Sequence, residues 1–280
     1  MISVDASYDY CRRVARARAK NFYYSFILLS KEQKNAMCAM YAFMRYCDDL
    51  SDEPGATAES IEQWRAALTQ ALDGQFDDHP LWPAFHHAVA RFRIPARYFH
   101  DMIDGVESDL TPRVVRTFDD LYHYCYRVAS VVGLTTIHIF GFKDPAATVL
   151  AEKCGIAFQL TNILRDLRED AALGRVYLPF EDLERFAVQP EELGREERTD
   201  RFLRLMDFEA HRARGFYDEA RPLVAMVDRR SRSSLWVLIT IYSRLLDKIR
   251  ASNYDVLSRR ISLSTWEKLR IVGHGFAMQR

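Results

Sequence analysis

Apolar residues recur at three- and four-residue intervals along almost the whole chain, and no bounded run alternates apolar and polar residues with period two. The first pattern lays an apolar stripe along a helix, and the second is what a half-buried strand requires, so an all-α architecture is expected. Breakers divide the helices. Ser30 is placed to cap one that reaches about Ser51, which Glu53-Pro54-Gly55 ends, and Ala58 to Leu72 forms the next before Asp73-Gly74. Shorter helices are expected near 81–92 and 96–109. A long one from about Phe118 to Phe140 stops at Gly141, and Pro145 opens another that runs through Asp170 before Gly174. Pro179 and Pro190 start short segments. Helices from about Thr199 to Val227, Ser233 to Ser252 and Ser264 to Gly273 follow. With no repeat, low-complexity tract or linker, residues 1–280 are expected to form one helical bundle and one domain.

Composition supplies the core and removes several function classes. Apolar residues make up 49% of the chain, enough for a large interior, while 39 basic residues balance 39 acidic ones. No polyanion-binding surface is implied, so nucleic acid is excluded as a partner. Cys11, Cys38, Cys47, Cys125 and Cys154 have neither CxxC nor metal-ligand spacing and read as packed, reduced thiols. His86, His87, His123 and His138 form no zinc constellation. Asp5, Asp9, Arg12 and Arg13 stand where a signal peptide would be apolar. The longest uncharged run, Val128 to Phe142, falls short of the roughly 20 residues needed to span a bilayer. A cytoplasmic protein is expected, with no more than peripheral contact with the inner membrane surface.

Function must then sit in local clusters, and two stand out. Tyr41, Arg45, Asp48 and Asp52 follow one another at four, three and four residues, which puts a phenol, a guanidinium and two carboxylates on one helix face. Gln159, Asn162, Asp166 and Asp170 repeat the arrangement at three, four and four. Carboxylates one turn apart repel each other, so neither spacing helps its own helix. Acidic residues at a helix C-terminus, such as Asp48, Asp49 and Asp52, also oppose the macrodipole. Mg²⁺ is held by one or two carboxylates together with substrate phosphate oxygens, and two facing aspartate pairs would clamp a diphosphate in that way. Mn²⁺ is the alternative ion.

At these residues the chain resembles the squalene and phytoene synthase family across nearly its whole length. The resemblance is carried by AKNFYYSF at 19–26, YAFMRYCDDLSD at 41–52, YCYRVASVVG at 124–133 and FQLTNILRDLREDAALGRVYLP at 158–179. It implies an isoprenoid synthase fold, with helices around a deep apolar cavity closed at one end by two aspartate motifs and magnesium. Asp48, Asp52, Asp166 and Asp170 match the metal-binding positions. The implied reaction ionises one prenyl diphosphate to an allylic cation, which the double bond of a second attacks to give a cyclopropylcarbinyl diphosphate.

Physical chemistry adds roles to the same residues. Arg45 and Arg175 would stabilise the departing diphosphate, with Arg165 and Tyr177 in the same motif facing the substrate. Tyr41, Tyr124 and Tyr242 would line a dry site and turn aromatic faces to the cation. Ala129 and Gly133, one turn apart, serve either close helix packing or room for a prenyl chain, and Ser130 stands where many relatives have glycine. Arg18, Lys20, Asn21 and Phe22 resemble a flap over the second diphosphate. Phe22 and Phe26 lie one turn apart and would cap the cavity floor, favouring farnesyl over geranylgeranyl diphosphate.

YCYRVASVVGL and HIFGF are more similar to presqualene diphosphate and squalene synthases of bacterial hopanoid pathways than to phytoene synthases. Presqualene diphosphate is the expected product, and NADPH would be used only if the reaction ran on to squalene. Phytoene synthesis and a non-catalytic helical scaffold stay open as alternatives. Head-to-tail elongation usually shows DDxxD in both motifs, whereas the second motif here is NILRDLRED; the NSE-type second motif of terpene cyclases and the Glu-x-x-His pairs of di-iron bundles are absent.

Overall fold

The computed structural model describes residues 2–19, 22–52, 57–76, 78–110 and 114–278, with the side chains of Ser51 and Asp52 excepted. Its helices are α1 (Val4–Arg18), α2 (Phe22–Phe26), α3 (Lys31–Asp52), α4 (Ala58–Leu72), α5 (Trp82–Phe92), α6 (Arg97–Glu107), α7 (Phe118–Cys125) and α8 (Val131–Phe140). They continue with α9 (Ala146–Ala172), α10 (Phe180–Arg185), α11 (Asp200–Ala220), α12 (Leu223–Met226), α13 (Arg232–Ala251) and α14 (Thr265–Met278). Among the described residues the extended pairing is limited to an isolated bridge between Phe142 and Val227, and no helix is long and apolar enough to cross a membrane. All five cysteines are buried and unpaired.

Capping follows the sequence closely. Ser30 accepts from the Gln33 N–H at 3.3 Å, and Thr57 and Thr117 form capping boxes with Ser60 and Asp120. Each satisfies amides that a helix start otherwise leaves open.

Three helix boundaries differ from expectation. The run from Phe118 to Phe140 is interrupted by a π turn over Tyr126–Ser130, which the unbroken apolar pattern could not show. Arg221 and Pro222 separate α11 from α12, because proline lacks the N–H and its ring crowds the preceding turn. Finally, α14 runs past Gly273 to Met278.

The π turn lets α9 press against it. A Cβ on Gly155 would lie 2.4 Å from Ser130 Cα, and one on Gly133 would lie 2.9 Å from the Ala151 carbonyl oxygen. Ser130 Oγ donates to the Glu152 carbonyl at 2.8 Å across the same contact. This close approach sets α9 beside α8, α11 and α13 as the central helix. On the opposite side of α3, Phe43 packs with Trp64, Trp82, Phe85 and Phe99, the Phe43 and Phe85 rings stacking at 4.8 Å. Burying each such ring contributes about 1.5–3 kcal/mol.

The N-terminal end of α3 is tied shut. Gln33 Nε2 donates to the Ile139 carbonyl at 3.0 Å and to Ser231 Oγ at 2.9 Å, and Ser231 Oγ donates to the Phe140 carbonyl at 2.8 Å. The C-terminal halves of α3 and α9 carry the aspartates.

Candidate active site

Between α3 and α9 lies a cavity of about 590 Å³, walled also by α2, α6, the α7–π–α8 run and α13. Along α9 it extends from Ala151 to Asp166, about 22 Å at the helical rise. Its walls are apolar over most of that length, with Phe26, Met37, Met40, Met102, Val132 and Leu238 among them. Its other end gathers Arg45, Asp48, Asp109, Gln159, Asn162, Arg165, Asp166, Arg175, Tyr177 and Arg260.

The two stripes read from the sequence therefore meet in one place. Tyr41, Arg45 and Asp48 arrive from α3, and Gln159, Asn162 and Asp166 from α9. Phe22, Phe26, Tyr124, Ala129, Gly133, Arg165, Arg175, Tyr177 and Tyr242 also line the cavity. Asp170 lies one turn beyond Asp166 and outside the lining. Arg18 is exposed at the end of α1 and does not line the cavity; its charge still favours ionisation of the Tyr41 phenol. Lys20, Asn21 and the Asp52 side chain lie outside the described residues.

Ion pairs organise the charged end. Asp166 accepts from Arg165 Nε at 2.7 Å and from an Arg165 terminal nitrogen, and Arg260 reaches the same carboxylate at 2.9 Å. Arg45 is held by Asp49 one turn on, so the aspartate that the spacing argument passed over is the one that aims the guanidinium. Among the described residues, two buried polar atoms on this wall lack a hydrogen-bond partner: Arg45 Nε, a donor, and Asn162 Oδ1, an acceptor. Leaving such groups unmatched costs about 1–3 kcal/mol each. Burial pushes the Asp170 carboxyl up to about 7, with the neighbouring Asp166 adding and Arg175 opposing.

The aromatic wall has two parts. Tyr124 and Tyr177 stack with centroids 4.9 Å apart, and their hydroxyls donate to the two oxygens of Asp109 at 3.1 and 3.2 Å. Tyr242 stacks on Phe158 at 4.3 Å and meets Phe22 edge-on at 5.8 Å. Burial pushes the Tyr41 phenol up to about 12, Arg45 opposing and Asp48 adding, and burial likewise holds Tyr124 far above its usual range. These phenols stay protonated and are weak nucleophiles.

Sequence reasoning missed Asp109, Arg260, Phe158 and the methionines. Met37 and Met44 lie four residues before and three after Tyr41, so extending that stripe in both directions would have found these two methionines. Asp109 and Arg260 come from short connections, where no periodicity points at the cavity.

The oxygen donors Asp48, Asn162, Asp166 and Asp170 suit a hard cation such as Mg²⁺. Among the described residues no three acidic, histidine or cysteine side chains gather closely enough to hold a metal ion by themselves.

A family model described as squalene/phytoene synthase matches residues 15–267. The chloroplastic phytoene synthase of Daucus carota is 36% identical over 276 residues, which cover 95% of this chain and 69% of that protein. The 15-cis-phytoene synthase of Synechococcus elongatus is 34% identical over 286 residues, covering 96% and 92%. Among solved structures, a dehydrosqualene synthase in complex with a ligand matches with a TM-score of 0.92 at 29% identity, covering 98% of this chain and 96% of that one. A squalene synthase from Alicyclobacillus acidocaldarius matches at 0.84 and 28%, covering 90% and 95%.

Proposed function

Because the chain belongs to the squalene/phytoene synthase family, whose members are prenyltransferases that use prenyl diphosphates, we propose that it joins two farnesyl diphosphates head to head into presqualene diphosphate. One observation carries this reading: a single apolar cavity has aspartates from two different helices, Asp48 and Asp166, at its charged end.

In this reading the prenyl tails lie along the apolar wall and the diphosphates sit among Arg45, Arg165, Arg175 and Arg260. The C1–O bond of the first substrate breaks, its electron pair leaves with the diphosphate, and an allylic cation remains. Mg²⁺ or Mn²⁺, held by Asp48 and Asp166 with Asn162 and Asp170 beside them, would neutralise the departing oxygens when bound. Arg45 Nε supplies a buried donor to the same charge. Tyr41, Tyr242 and Phe158 offer π faces to the cation. The protonated phenols and the dry wall keep nucleophiles from it. The double bond of the second substrate then attacks, and closure of the cyclopropane ring releases one proton.

Phe26, fully buried in the wall beside Met37 and Met40, supports the shorter farnesyl chain. The reaction stops at the cyclopropyl diphosphate, NADPH being required only for onward reduction to squalene. The product would feed triterpene synthesis of the hopanoid or sterol type. The protein is placed in the cytoplasm, in peripheral contact with the membrane that takes up a water-insoluble product. A second reading, coupling of two geranylgeranyl diphosphates to phytoene, is favoured by the carrot and Synechococcus relatives. Mass spectrometry of products formed from the two substrates in competition, with and without NADPH, separates these outcomes. Presqualene diphosphate as the main product is expected. Phytoene would overturn the chain length, and squalene formed with NADPH would overturn the stopping point.

A further inference from the structure

Arg260 reaches the charged end of the cavity from the connection between α13 and α14. Where α13 ends, Asn253 and Tyr254 take left-handed backbone at φ 52° and 56°, and the Tyr254 N–H closes on the Ile249 carbonyl at 3.1 Å. Side chains beyond glycine and asparagine rarely adopt that conformation, so the turn needs holding from outside. The Tyr254 hydroxyl donates to Asp207 of α11 at 2.7 Å. Arg198, in the connection between α10 and α11, donates to the Asn253 carbonyl at 3.0 Å. Val256 and Leu257 are then buried, while Ser258, Arg259 and Arg260 are exposed.

Arg168 of α9 grips the connection where it passes from buried to exposed. Its guanidinium donates to the Leu257 carbonyl at 2.8 Å and to the Ser258 carbonyl at 3.4 Å, and pairs with Glu196 at 3.1 Å. Two residues after Ser258, Arg260 pairs with Asp166 at 2.9 Å and with Glu169 at 3.6 Å. Asp166 and Arg168 are also two residues apart, a spacing that points side chains to different faces of a helix. The connection therefore crosses α9, held by Arg168 on one side and ending in the Arg260 pair on the other. From Ser258 to Arg260 the chain spans at most about 7 Å. The point that Arg168 grips thus limits where the Arg260 guanidinium reaches. Arg259, between them, pairs with Asp255 of the same connection at 3.4 Å, a contact that does not tie the segment to α9.

We propose that Arg168 is a positioning residue: its grip on the Leu257 and Ser258 carbonyls holds Arg260 where it meets the diphosphate of the substrate. This role rests on the function proposed above. Arg260 lines the cavity and Arg168 does not, so Arg168 acts through Arg260. A contact made to the diphosphate both before and during ionisation contributes to binding more than to rate, which places the effect on KM.

The test is a double-mutant cycle on the full chain with Arg168→Met, Arg260→Met and both together. Arg168→Met should raise the KM for farnesyl diphosphate about tenfold while kcat changes less than about twofold. Added to Arg260→Met, it should change KM no further, and Arg168→Lys, which keeps a charged donor, should restore most of the loss. Hydrogen exchange read by mass spectrometry should be faster at residues 256–262 in Arg168→Met than in the parent. An unchanged KM in Arg168→Met would overturn the proposal, whether or not exchange quickens. So would a KM effect that persists undiminished in the Arg260→Met background, since Arg168 would then act by another route. The same cycle is measured by calorimetry on binding of inorganic pyrophosphate with Mg²⁺. A parent that binds pyrophosphate and shows the coupling, yet releases none from farnesyl or geranylgeranyl diphosphate, keeps the positioning role and removes the proposed reaction. An active parent with independent effects of the two substitutions does the reverse, and a parent that neither turns over nor binds pyrophosphate overturns both.

Discussion

Phe43 and Tyr41 stand two residues apart on α3 and serve opposite purposes. Phe43 belongs to a cluster with Trp64, Trp82, Phe85 and Phe99 in which rings fill the space against one another. Tyr41 faces a space that the protein leaves open, beside carboxylates and guanidiniums. The first face is fully packed and makes few polar demands. The second carries a buried donor without a partner among the described residues, Arg45 Nε, and faces another unmatched atom, Asn162 Oδ1, across the cavity on α9. One helix therefore carries stability on one side and unmet electrostatic demand on the other, and the demand marks the site.

The comparison breaks most sharply at the aspartates. Asp48→Asn or Asp166→Asn should lower turnover by several orders of magnitude, roughly a thousandfold or more, because a neutral amide is a far weaker ligand than a carboxylate for the proposed Mg²⁺. Circular dichroism should show the helical fold intact. Near-normal turnover in either purified variant would remove the aspartates from the chemistry. On the other face, Phe43→Ala should destabilise the protein by about 3–5 kcal/mol, read from chemical denaturation. The protein that remains folded should keep its specific activity, and a selective loss of turnover without loss of stability would erase the division between the faces.

Asp109 tests the tyrosine wall more finely. Asp109→Asn removes the charge but leaves an acceptor for one of the phenols that Tyr124 and Tyr177 now direct at it. Turnover should fall about a hundredfold with little change in melting temperature. A variant that melts much earlier yet turns over normally would make Asp109 a packing residue.

The smallest effect concerns a buried charge cluster away from the cavity. Arg212 donates to Asp182 at 2.8 Å and to Glu209 at 2.8 Å. Burial pushes the Glu209 carboxyl up to about 8, Arg212 opposing and Asp182 adding. An acid whose folded pKa exceeds its unfolded one binds more protons when folded, so stability falls as pH rises between the usual carboxylate range and about 8. Glu209→Gln should flatten the dependence of melting temperature on pH in that window and leave turnover unchanged. An unaltered slope would show that Glu209 does not titrate there.

The same contrast explains what could be read in advance. Asp48 and Asp166 were legible because each belongs to a stripe written at helical spacing, and the helix alone places such residues on one face. Phe22, expected in a flap and at the cavity floor, and Tyr242, expected along the dry lining, meet in the wall across α2 and α13. Asp109 and Arg260 were not legible, since each reaches the site from a connection whose course is set by tertiary packing. The π turn at Tyr126–Ser130 was hidden for a related reason: it answers to Gly155 on another helix, and nothing within its own segment records that contact. The boundary at Pro222 was readable from proline chemistry and was passed over because the apolar period continues across it.

The open side of α3 and its counterpart on α9 are proposed to form an ion-dependent site for ionising a prenyl diphosphate. Pyrophosphate release from farnesyl diphosphate by the purified chain, measured with Mg²⁺, after EDTA and after Mg²⁺ is restored, tests it most directly. Release with Mg²⁺, none in chelator, and recovery on adding the ion back are expected. Release undiminished by EDTA, or none from either farnesyl or geranylgeranyl diphosphate with Mg²⁺ present, would contradict it.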